Sequence, residues 1–107
     1  MFSEMTQKKI EEAVTLEIVN AVKTYGAEYN SHHEAYAVLL EEVEEVEKEF
    51  DYIKNHLAMI WDAVKVDNAN EVKANARIIG LDAIELAKEA CQIAAVCKKI
   101  LGEAYNG

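Results

Sequence analysis

Apolar residues recur along this chain at helical spacing in three successive stretches. In the first, from about Ser3 to Tyr25, Ile10, Val14, Ile18 and Val22 form one i, i+4 row, and Gly26 supplies a stop signal. The second opens with Ser31 and Glu34 at capping-box spacing. Its apolar line is Leu39, Val43, Val46, Phe50, Ile53, Leu57, Ile60 and Val64, in strict steps of four and three, a heptad seam. The third follows Asp67, Asn68 and Asn70, which favour turns and caps. Its seam is Val72, Ala76, Ile79, Ala83, Leu86, Ala90, Ile93, Cys97 and Ile100, and large and small side chains alternate along much of it. Gly80, near its middle, marks a weak point or the close approach of another backbone.

Two seams joined by a turn near residues 66–70 predict a long antiparallel helical hairpin, preceded by an N-terminal helix. The fold class is all-α, with residues 1–107 as a single domain. Two seams and the Ile10–Val22 row hold more apolar surface than three helices of one small chain can cover. A homodimer or homotetramer, an oligomeric helical bundle, is therefore expected.

Composition agrees with this: half the 107 residues are hydrophobic, none is proline and four are glycine. The formal charge of −9 disfavours a nucleic-acid polymer or an anionic membrane as partner. A phosphorylated ligand would need a divalent cation between itself and the protein. The N-terminus lacks the layout of a secretory signal, and no run is long enough to span a membrane. Cys91 and Cys97 point away from each other on one helix and suit buried small hydrophobes in a reducing compartment. The expected location is cytoplasmic.

The stretch Leu39–Phe50 contains six glutamates, and the seam sorts them. One position before each seam residue runs a flanking stripe: Val38, Glu42, Glu45, Glu49, Tyr52 and His56 on the second helix. On the third it is Ile78, Asp82, Glu85, Glu89, Gln92 and Val96. Glu41, Glu44 and Glu47 fall on other faces, as solvated surface. With the turn centred near residue 68 or 69, position 45 faces 91–93 and position 42 faces 94–96. Glu42 and Glu45 then lie within about a turn of Glu89 and Gln92. Carboxylates beside a coiled-coil seam ordinarily pair with lysine across it, but lysine is scarce on both stripes. Three carboxylates and an amide oxygen so placed repel one another without a counter-ion, and these hard oxygen donors suit Mg²⁺ or Mn²⁺.

Other constellations give less. No Glu-x-x-His pair of a di-iron bundle is present, and His32–Tyr36 lacks the second histidine of a zincin helix. His32 and His33 are expected to be exposed, His56 to be a polar interface residue, and the first helix to be purely structural.

The segments "HEAYAVLLEEVEEV" and "KEACQIAAVCKKIL" together resemble the MazG-like nucleotide pyrophosphohydrolases, particularly the small phage-type and stand-alone members. The family signature is Glu-Glu-x-x-Glu on one helix and Glu-x-x-Asp on a later one. It is met here by Glu41, Glu42 and Glu45 and then by Glu89, with Gln92 in place of the aspartate. The resemblance covers residues 31–101, with a longer gap between its halves than the family usually has. It implies Mg²⁺-dependent cleavage of a nucleoside triphosphate to the monophosphate and pyrophosphate by a helical oligomer. Glu42, Glu45 and Glu89 would bind the metal, Gln92 more weakly, and Glu41 would orient or activate water. Lys88, Lys98 and Arg77 are candidate phosphate contacts. The alternative is a catalytically silent helical oligomer with a binding or structural role.

Overall fold

A computed structural model describes residues 3–103, and those residues form three α-helices without a strand. Helix α1 spans Glu4–Tyr25, α2 spans His32–Lys65 and α3 spans Ala69–Ile100. By chain contacts the molecule divides into two units, Met1–Val43 with Glu89–Gly107, and Glu44–Lys88. Among the described residues, no helix is long and apolar enough to cross a membrane.

Local chemistry sets the helix ends. Ser3 caps α1 by accepting from the Thr6 amide at 3.2 Å, and Gly26, at φ 84°, ends it with its N–H on the Val22 carbonyl. Ser31 accepts from the Glu34 amide at 3.1 Å. Glu34 does not close the box on Ser31, however; its carboxylate reaches one residue further back and accepts from the backbone N–H and side-chain amide of Asn30. Between α2 and α3, the Asn68 amide bonds the Ala63 carbonyl and the Asp67 amide bonds that of Val64. This is a Schellman ending with Asp67, at φ 55°, in the left-handed position that glycine usually fills. Asn68 then caps α3 through the Glu71 amide. Three residues thus stop one helix and start the next, at the predicted turn.

In the first unit, α1 packs on the C-terminal part of α3. Val14 and Ile18 from the predicted row are buried with Ala95, and Val22, Cys91 and Ala94 close around them. Cys91 and Cys97 are both unbridged thiols.

In the single chain the predicted seams are only partly covered in both units. In the second, Val46, Ile53 and Ile60 are partly buried, but Phe50, Leu57 and Val64 are about half exposed, at 50, 59 and 47%. On α3, Val72, Ile79 and Leu86 turn inward while Ala76 and Ala83 are exposed. The buried places go instead to Ala63 and Asn75, and partly to Glu49, His56 and Asp82. In the first unit the same holds: Glu42 and Glu89 are partly buried, and Val43 and Ala90 are exposed. A helix with one neighbour buries a single arc. Here that arc is centred between the seam and its flanking stripe, so it takes half of each. Among the described residues, no heavy atom outside the local helix backbone lies within 4 Å of where a Gly80 Cβ would stand, so no other backbone approaches it there.

Candidate functional site

The turn at Val66–Asn68 is centred earlier than residue 68, and that shifts the expected facing partners. Glu42 meets Glu89 and Gln92, where the sequence placed it opposite 94–96. The geometry is close. With its amide nitrogen turned toward the carboxylates, Gln92 donates to Glu89 Oε2 at 3.2 Å and to Glu42 Oε2 at 3.1 Å. Turned the other way, the amide oxygen would face those two oxygens, an arrangement that only a cation between them makes favourable. All three side chains are partly buried and belong to the first unit.

The other predicted site residues lie outside this trio. Glu41 is exposed, and Glu45, the first turn onward, is exposed as well. Among the described residues, no three carboxylate, histidine or cysteine side chains gather so as to hold an ion. The trio is therefore two carboxylates and an amide. His32 and His33 are exposed, as expected, and His56 Nδ1 stands 2.8 Å from the Tyr52 carbonyl of its own helix.

A cavity of about 730 Å³ opens beside the trio, within the first unit. Glu41, Glu42 and Gln92 line it together with Glu34, Tyr29, Asn30 and Lys99. Helix α1, read from sequence as structural only, supplies a wall through Glu17, Asn20, Ala21 and Thr24. The helix can do this because its apolar row faces α3, which turns the next face along toward α2.

Lys99 is the residue that sequence reasoning missed. It is 92% buried, at 8% exposure, and its Nζ lies 4.1 Å from the centroid of the Tyr29 ring. Burial holds the Tyr29 phenol above its ordinary pKa, and the negative charges of Glu34 and Glu42 add to this, followed by Cys97. Tyr29 is therefore a neutral ring and a hydrogen-bond donor at physiological pH. The three proposed phosphate cations are placed otherwise: Lys88 pairs with Glu85, Lys98 pairs with Glu103, and Arg77 is exposed. A signal for Lys99 was present. The stripe through Glu85, Glu89, Gln92 and Val96 reaches Lys99 at its next step.

The second unit has its own acidic contact. Glu49 lies against Asp82 and Glu85, and its pKa is raised, first by burial and then by those two charges. Among the described residues, Asp82 Oδ2 is buried without a hydrogen-bond partner. A side-chain hydrogen bond between Glu49 and Asp82 also favours the protonated form of Glu49.

No protein family, no curated protein and no solved structure matches the chain.

Proposed function

We propose that this chain is a Mg²⁺-dependent nucleoside triphosphate pyrophosphohydrolase of the MazG-like type, working as a homo-oligomer in the cytoplasm. The observation that carries this is the convergence of Glu42, Glu89 and Gln92, two of which, Glu42 and Gln92, line a cavity large enough for a nucleotide. Ligand oxygens at right angles around Mg²⁺, each about 2.1 Å from it, stand roughly 3.0 Å apart. The contacts of 3.1 and 3.2 Å fit adjacent positions of such a shell once the amide oxygen faces inward. Two carboxylates and one amide leave further positions of a six-coordinate ion for phosphate oxygens and water, as a catalytic site requires.

The bound metal would neutralise the triphosphate and raise the acidity of a coordinated water. Glu42 and Glu89 would hold the ion from facing helices, with the phosphates presented to the cavity. Glu41 lines the same cavity and is solvent-exposed, so its carboxylate would be placed to take a proton from the attacking water. Attack of that water on a phosphorus flanking the α–β bridging oxygen would form one P–O bond and break the bridging one, releasing the monophosphate and pyrophosphate while Glu41 takes the proton of the water.

Exposed surface supports the oligomer. Phe50, Leu57 and Val64 are about half exposed along one line of α2, an apolar strip that a second copy would cover. Sedimentation at micromolar concentration should show a species heavier than 12.0 kDa; a 12.0 kDa species would remove the oligomer.

A silent scaffold is favoured by one observation: the Gln92 amide can satisfy both carboxylates without any metal. Pyrophosphate release from a panel of ribo- and deoxyribonucleoside triphosphates, with Mg²⁺ or Mn²⁺, separates the two. Release from none of them would leave the scaffold.

A further inference from the structure

Among the described residues Lys99 is the one buried cation, and it faces the cavity. Burying an ammonium is costly unless something compensates it. The Tyr29 ring face does so in part, and the position of Lys99 in the last turn of α3, near the negative end of the helix dipole, adds a little. Neither is a directed acceptor, and an anionic ligand in the cavity would supply one.

Lys99 stands seven residues beyond Gln92, roughly 10 Å along the helix axis. Helical side chains lean toward the N-terminus, so its stem points back toward the Gln92 end. A ligand whose pyrophosphate end meets Glu42, Glu89 and Gln92 would bring its next phosphate within reach of Nζ.

We propose that Lys99, held over Tyr29, is the phosphate-binding cation of the cavity and grips the phosphate nearest the sugar. The proposal rests on the nucleotide reading above and deepens it. That phosphate stays with the nucleoside after cleavage, so the nucleoside 5′-monophosphate should be retained through Lys99 and act as a product inhibitor.

The test compares binding of a nucleoside 5′-monophosphate with that of its uncharged nucleoside, by calorimetry on the full chain at fixed Mg²⁺ and ionic strength. The monophosphate should bind the native chain more tightly. Lys99→Met should weaken it by about tenfold or more and leave nucleoside binding unchanged, whereas Lys99→Arg should retain most of the preference. The rise in melting temperature caused by Mg²⁺ without nucleotide should be the same in Lys99→Met as in the native chain, which a merely structural lysine would not ensure. Should Lys99→Met fail to fold, Tyr29→Leu, which removes the ring beneath the ammonium, should reduce the same preference. Equal monophosphate affinity in the substituted and native chains, or no preference for the monophosphate in the native chain, overturns the proposal. Binding through Lys99 without hydrolysis of any triphosphate would sink the hydrolase and leave this inference standing. Hydrolysis with binding indifferent to Lys99 would do the reverse.

Discussion

The two units solve the same electrostatic problem in different ways. In the first, Glu42 meets Glu89 and Gln92. One heptad along each helix, in the second unit, Glu49 meets Asp82 and Glu85. The positions correspond, and the decisive difference is an amide where the second unit has a carboxylate. Gln92 can donate to both neighbouring carboxylates. Glu85 cannot; it takes Lys88 of its own helix at 3.3 Å, and Glu49 is left to hold a proton more tightly than usual. Acidic residues at the border of a helix interface therefore do not by themselves make a metal site. An oxygen-rich trio that is stable without metal, beside a cavity, is a better candidate than one relieved by protonation.

The sharpest way to break this contrast is catalytic. Glu89→Gln should reduce pyrophosphate release by roughly a hundredfold or more, because it removes a charged metal ligand. Asp82→Asn, the corresponding change in the second unit, should leave the rate near that of the native chain. Equal losses in both variants, measured at saturating Mg²⁺, would show that the units are not distinct in function.

Converting the first trio into the second's composition comes next. Gln92→Asp supplies a third carboxylate and removes the bridging donor. Mg²⁺ affinity should rise by about tenfold, equivalent to ~1.4 kcal/mol, while the metal-free chain should melt lower. Calorimetric titration and melting curves check the two halves separately. Unchanged Mg²⁺ affinity would place the cation away from residue 92.

A smaller effect sits in the second unit. The folded-state pKa of Glu49 lies above its ordinary 4.5, so the folded chain holds this proton more tightly than the unfolded one. The stabilisation is complete below the ordinary value and is lost as pH rises through the folded value. Glu49→Gln should therefore raise the melting temperature at neutral pH by a few degrees and remove that part of the pH dependence. A native-minus-variant difference independent of pH from 4 to 8 would show that Glu49 is not strained by its neighbours.

The smallest expected change is at the turn. Asp67 occupies a left-handed backbone position, φ 55°, that costs an L-residue some energy. Asp67→Gly should stabilise the chain by up to about 1 kcal/mol, read by urea unfolding, without altering the Mg²⁺ response of the first unit. Destabilisation would mean that the Asp67 side chain does more than fill the turn.

Much of this was legible in the sequence. Ser3, Gly26, Ser31 and Asn68 act locally, so the helix ends could be read from a few residues each. The pairing of Glu42 with Glu89 and Gln92 was also within reach, since a heptad stripe and a short turn nearly determine it. The error of about three residues came from placing the turn centre by composition, when the Schellman bonds to Ala63 and Val64 set it earlier. The buried arc was misjudged for a different reason. Periodicity marks apolar positions, and Phe50, Leu57 and Ala83 are apolar yet exposed in the single chain. Lys99 and the α1 wall were missed because a cavity is a tertiary property. Neither a lone lysine near a helix end nor Asn20 and Thr24 on a polar face reveals what stands opposite.

The central claim is that Glu42, Glu89 and Gln92 together hold a divalent cation, and melting with and without metal tests it most directly. Mg²⁺ or Mn²⁺ at about a hundredfold excess over its Kd should stabilise the native chain by roughly 2.7 kcal/mol. Sodium chloride at matched ionic strength should do far less, since screening is general and coordination is not. Glu42→Gln or Glu89→Gln should remove most of the divalent effect, and Glu44→Gln, exposed on another face of α2, should not. If divalent ions stabilise the chain no more than matched salt, or if Glu44→Gln abolishes the effect as completely as Glu89→Gln, the trio holds no metal.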